Sequence, residues 1–101
     1  MDMTAKTENE ILCVAFFGEI DHYEAGKVRS TLDEIIFDER PKELIFDFSG
    51  VRSMDSSGIG LVLGRHRIIK EMGGTTSVVG ASRAIETIFK MSGVNKIIKV
   101  N

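Results

Sequence analysis

A single cysteine among 101 residues means that no disulfide can close within this chain, so a small fold has to be held by its own apolar core. Long apolar runs are missing as well. None approaches the roughly 20 residues a helix needs to cross a bilayer, and the opening MDMTAKTENE lacks the apolar segment of a signal peptide. A cytoplasmic location without a membrane partner is the expectation. Nor does one sign of charge dominate. Thirteen Lys and Arg stand against fifteen Asp and Glu, and the basic residues are spread along the sequence without a cluster, so nothing points to nucleic acid. No G-x-x-x-x-G-K-[ST] is present, which excludes a phosphate-binding loop of that kind. Only His22 and His66 could complete a serine triad. The first falls in the opening turn of a predicted helix and the second on an apolar stripe, so hydrolase chemistry is not expected.

What is present reads as one globular α/β domain spanning residues 1–101, with 43% apolar and 28% charged residues. Ile11 to Phe17, ILCVAFF, is apolar at both alternating sets of positions, which suits a strand covered on each side, with Cys13 as a buried thiol. Met3 to Thr7 is placed beside it through a turn at Glu8-Asn9-Glu10. Asp21 and Glu24 have capping-box spacing ahead of Ala25, Val28, Leu32, Ile35 and Ile36, the buried stripe of a first helix. The lone proline, Pro41, stops that helix, and Glu43 to Phe48 form the next strand, with Ser49-Gly50 turning out of it.

A second helix runs from Ser57 to about Met72 and ends at Gly73-Gly74, followed by a strand from Thr76 to Val79. Ser82 caps a third helix, with Ile85, Ile88 and Phe89 on one face and Gly93 at its end, and Ile97, Ile98 and Val100 make the last strand. The order ββαβαβαβ predicts a mixed sheet of four to five strands with about three helices, parallel pairs and right-handed crossovers. On the second helix, Ile59, Val62, Leu63, His66 and Ile69 form a stripe without permanent charge, and this stripe is assigned to the core. Leu61, Arg65, Ile68 and Met72 form another, so some apolar surface stays near solvent at the helix start.

Between the second predicted strand-helix pair stands Met54-Asp55-Ser56-Ser57-Gly58-Ile59-Gly60. Helix starts leave backbone N–H groups unpaired under the positive end of the dipole, so a phosphate on Ser56 or Ser57 would meet favourable charge. The surroundings are D-S-S-G rather than G-x-S-x-G, the nucleophile elbow. Gly58 and Gly60 either let the helix pack tightly or let another protein approach the serines. Asp47 and Asp55 could form an acidic phosphoryl-acceptor pocket. Their spacing is not specific, and Asp55 suits a helix start equally well.

Phe17-Gly18-Glu19-Ile20-Asp21, the serine motif, Gly73-Gly74 and Phe89-Lys90-Met91-Ser92-Gly93 together resemble the STAS-domain anti-sigma factor antagonists, in particular those controlling the first forespore sigma factor. The resemblance implies a non-enzymatic regulator. Its unphosphorylated form would bind an anti-sigma factor that is also a serine kinase, carrying ATP or ADP, and so release the sigma factor. Phosphorylation at Ser56 would inactivate it and a serine phosphatase would restore it. Asp21, Asp55, Ser57, Gly58, Ile59 and, more weakly, Arg65 become partner-binding candidates, and no metal or cofactor is implied. The alternative within the family is an antagonist serving a stress-response sigma pathway or a larger signalling assembly.

Overall fold

Asn9 and Glu10 both take positive φ, 53° and 65°, the backbone of a two-residue turn whose twist matches paired strands. In the computed structural model, which describes residues 1–101, this turn joins β1 (Asp2–Glu8) to β2 (Ile11–Ile20) as an antiparallel hairpin. Then follow α1 (His22–Glu39), β3 (Glu43–Met54), α2 (Ser56–Glu71), β4 (Thr75–Val79), α3 (Arg83–Ser92), a 3-10 turn at Val94–Lys96 and β5 (Lys99–Val100). The five strands lie in the sheet in the order in which they occur in the chain, and every pair after the hairpin is parallel.

That order decides where the core sits. Each crossover moves one strand along in the same direction, and right-handed crossovers of that kind place every helix on the same face. Leu12, Val14 and Phe16 of β2, Leu44, Phe46 and Phe48 of β3, and Val78 of β4 are fully buried under the helices. Helix residues Leu32, Ile36, Val62, Ile69, Ile85 and Phe89 complete the layer. Phe16 stacks on Phe46 at 5.8 Å between ring centres and meets Phe48 edge-on, and Phe48 in turn meets Phe89 at 5.4 Å.

The other face is bare, which corrects two expectations. Ile11, Cys13 and Phe17 are exposed there, so β2 is covered on one side only and Cys13 is not a buried thiol. Partial burial, and to a lesser degree the charge of Asp47, still push the thiol upward, which keeps it protonated at neutral pH.

Three further differences have local causes. Ser49-Gly50 does not end β3. The strand runs on to Met54 through two irregularities against β2, because Gly50 lets the chain pass Phe17, whose ring would lie 2.4 Å from a Cβ there. The last strand is shorter than expected, since Val94–Lys96 coils first and Ile97 is left exposed. In α2 the buried residues are Gly58, Leu61, Val62, Arg65 and Ile69, drawn from both stripes, while Ile59, Leu63 and His66 are half-buried. The helix packs against α1 as well as the sheet, so the inward direction falls between the two stripes.

Candidate functional site

The ends of β2 and β3 pair at Ile20 and Met54, and the Asp55 N–H donates to the Ile20 carbonyl at 3.1 Å. Each strand is followed at once by an aspartate that caps a helix. Asp21 accepts from the Glu24 N–H at 2.8 Å to start α1, and Asp55 accepts from the Ser57 N–H at 2.8 Å to start α2. Two helix N-termini, each with a carboxylate on it, therefore stand at neighbouring strand ends.

Ser56 is the first residue of α2. It is exposed, and its hydroxyl makes no hydrogen bond within the chain. Ser57 is half-buried. Gly58 has a steric reason to be glycine, because a Cβ would fall 2.2 Å from Met54 Sδ and 2.4 Å from its Cγ. A side chain there would force Met54 to move, so glycine lets the first turn of α2 lie directly on it. Gly60 has open space around it, so packing does not require glycine at that position.

On one side of Ser56 lies a groove of about 380 Å³ lined by Met54, Asp55, Ser56, Ile59, Ile88, Met91 and Ser92. Met91 is 84% exposed and Ile88 only partly covered. In the sequence Ile88 reads only as sharing one face of the third helix with Ile85 and Phe89, and nothing marks Met91 as a contact residue. The available signal was an apolar residue standing off the α3 stripe just before its terminal glycine. On the side of Asp21, a cleft of about 370 Å³ is lined by Asp2, Glu19, Asp21 and Glu24, opposed by Arg52 and by the Met1 ammonium, which lies 3.3 Å from Glu24 Oε2. A partner approaching Ser56 would thus meet apolar surface on one flank and negative charge on the other.

Arg65 is elsewhere. It is 8% exposed, with its Nε 2.9 Å from Asp33 Oδ1 of α1, close but without the alignment of a hydrogen bond, and its Nη1 donates to the Leu61 carbonyl at 3.4 Å. Desolvation lowers its pKa and Asp33 opposes that shift. The α1 carboxylate draws the guanidinium into the seam between helices, so Arg65 offers no exposed contact surface and instead ties α2 to α1.

The two remaining acids are not brought together. Asp47 accepts from the Ser49 N–H at 2.9 Å and from its hydroxyl at 2.6 Å on the bare sheet face, whereas Asp55 caps α2. No three His, Cys, Asp or Glu side chains gather as metal ligands.

The STAS domain pattern matches residues 2–101. The chain is 32% identical over 90 residues to the anti-sigma F factor antagonist of Paenibacillus polymyxa, covering 89% of this chain and 77% of that one. It is 30% identical over 96 residues to the anti-sigma-B factor antagonist of Bacillus subtilis, covering 95% and 85%. Among solved structures, the anti-sigma factor antagonist SpoIIAA in its unphosphorylated form superposes with a TM-score of 0.87 at 29% identity, covering 99% of this chain and 88% of that one. The Bacillus SpoIIAA in its phosphorylated form gives a TM-score of 0.78 at 29% identity, over 99% and 91%.

Proposed function

The chain belongs to the STAS domain family, among its anti-sigma factor antagonists, and on that premise we propose that Ser56 is the phosphorylated residue that switches its partner binding. The observation carrying this reading is the idle, exposed hydroxyl at the start of α2, set between an apolar groove and an acidic cleft. Regulatory binding rather than catalysis is the work of such a surface. The partner is an anti-sigma factor that is itself a serine kinase with bound ATP or ADP, in the sporulation pathway of the cytoplasm. A serine phosphatase reverses the modification.

Contact falls on Asp21, Asp55, Ser57 and Ile59, extended by Ile88 and Met91 along the groove, while Gly58, buried against Met54, shapes the helix start rather than touching the partner. A phosphate on Ser56 adds about −1.5 to −2 charges. The helix dipole favours an anion there by about 0.3 to 1 kcal/mol, against repulsion from the Asp55 and Asp21 carboxylates, so the fold tolerates the modification. That a SpoIIAA keeps a similar fold in its phosphorylated form supports this. Inactivation then arises between proteins. An uncompensated charge buried at an interface costs about 3 kcal/mol or more, roughly a hundredfold in affinity.

The test is intact mass and peptide mapping after mixing the chain with an anti-sigma kinase and ATP, beside Ser56→Ala. One phosphoryl group on Ser56, absent from the variant, is the expected result. A chain left unmodified by a kinase active on another antagonist removes the switch. The anti-sigma-B relative supports a second reading, a stress-response pathway, and capture of that pathway's anti-sigma factor in preference to the sporulation one would decide for it.

A further inference from the structure

Four of the five methionines are held in the fold. Met54 is buried against the first turn of α2, and Met1, Met3 and Met72 are partly covered and packed on the core. Met91 is the exception, 84% exposed in the last turn of α3. A single exposed apolar side chain needs no explanation. This one, however, lines the groove that also holds Ser56, with Met54, Ile59 and Ile88 as the other apolar walls. The most accessible thioether of the chain therefore stands beside the serine proposed as the switch.

Helix α3 puts it there. Ile85 and Phe89 are the buried residues of that helix, and Met91, two positions after Phe89, points away from them, while Ile88, three positions earlier, shares its side. Gly93, with φ 83°, ends the helix two residues on and carries no side chain that could cover the sulfur.

Oxidation to the sulfoxide turns a flexible apolar methionine into a polar one. A sulfur lone pair attacks one oxygen of hydrogen peroxide, the O–O bond breaks, and the departing hydroxide takes the proton left on the transferred oxygen and leaves as water. Sulfur gives up two electrons and the peroxide takes them. The oxidant has to reach the sulfur, so packing protects the other four methionines. The remaining exposed sulfur, Cys13, lies on the bare sheet face, and its raised pKa keeps it as the less reactive thiol.

We propose that Met91 is an oxidation site and, on the reading that the Ser56 surface is the partner contact, that its sulfoxide weakens partner binding without any phosphate. The sulfoxide oxygen would be covered by the partner in an apolar groove. Its cost is that of a polar group left without a donor, smaller than that of a phosphate because it carries no net charge. Methionine sulfoxide reductases reverse the change, which makes it a second reversible input to the same surface.

The experiment treats the full chain, carrying Cys13→Ser, with hydrogen peroxide and locates the added oxygen by peptide mass. Oxygen on Met91 before any on Met1, Met3, Met54 or Met72 is expected, with thermal unfolding unchanged because Met91 is not packed on the core. Affinity for an anti-sigma kinase should fall about tenfold on oxidation and return on treatment with the reductases. Met91→Leu should bind as the untreated chain does and lose the peroxide response, whereas Met91→Gln should bind weakly without peroxide. Oxidation first at another methionine, or a Met91 sulfoxide that binds as tightly as the thioether, overturns the proposal and leaves the Ser56 switch standing. An untreated chain that binds no anti-sigma kinase overturns the reading of the surface, and the proposal with it.

Discussion

The two ends of α2 differ in charge, in cover and in what is left unpartnered. At its start, Asp55 caps the helix beside Asp21, and the acidic cleft lies next door. At its end, Lys70 leads into a cleft with cations and no acid. Both signs agree with the helix macrodipole, so charge alone at either end would say no more than that the helix is well made. The informative groups are those in excess of that need. At the start they are the free Ser56 hydroxyl and the exposed Met91. At the other end they are Lys96, Lys99 and Arg67. The same asymmetry runs through the chain, since residues 56–101 hold seven Lys and Arg but only Glu71 and Glu86, while residues 1–55 hold thirteen of the fifteen acids.

The largest expected effect would break the comparison at its acidic end. Ser56→Asp should weaken binding to the anti-sigma kinase by about a hundredfold, whereas Ser56→Ala should bind as the unmodified chain does and never be released by ATP. Calorimetry on both variants measures this, and equal affinities would mean that charge at Ser56 is not the switch.

Arg65 stands between the ends and tests whether they are independent. Arg65→Ala should lower stability by about 2 kcal/mol in urea unfolding, less than for a fully buried pair because Asp33 keeps some solvent contact, with little change in partner affinity. A loss of affinity far exceeding the loss of folded protein would return Arg65 to the contact surface.

Gly58→Ala sharpens the account of the helix start. The new methyl meets Met54 but also favours helix, so a net loss of about 1 kcal/mol is expected, and Met54→Ala in the same chain should relieve it. A double-mutant cycle with no coupling would show that Met54 is not what keeps this position glycine.

The smallest effect belongs to the basic end. Burial, and then Lys70, lower the pKa of His66 below its usual 6.5, so the fold favours the neutral ring. Protons bind the unfolded chain more readily, and the contribution of His66 is fully present above about pH 6.5 and lost as pH falls below it. With Arg67, Lys96 and Lys99 also near, protonation adds to an uncompensated cluster. Melting temperatures across pH 5 to 8, with His66→Gln as control, should show a slope that the variant lacks.

Much of the site's frame was legible because caps are local. Asp21 with Glu24, and Ser82 with Ile85, are fixed by spacing, and Asp55-Ser56 sits where a strand pattern yields to a helix pattern. What escaped depends on distant partners. ILCVAFF is apolar on both sides whether helices cover one face or two, and only the strand order settles that the face of Cys13 is bare. Arg65 reads as a surface charge until Asp33 of another helix is brought to it. Ser49-Gly50 has turn composition, yet Gly50 serves a close approach to Phe17. The basic cleft is invisible in sequence because its cations come from two segments far apart.

The strand order also bears on how the chain is made. Each strand after the first pairs with the one before it, Ile11 with Glu43, Glu43 with Thr75, Ser77 with Lys99, so each emerges from the ribosome with one neighbour already made. The sheet can grow from its hairpin outward as the chain emerges, without exposing an edge whose partner is still unmade on both sides.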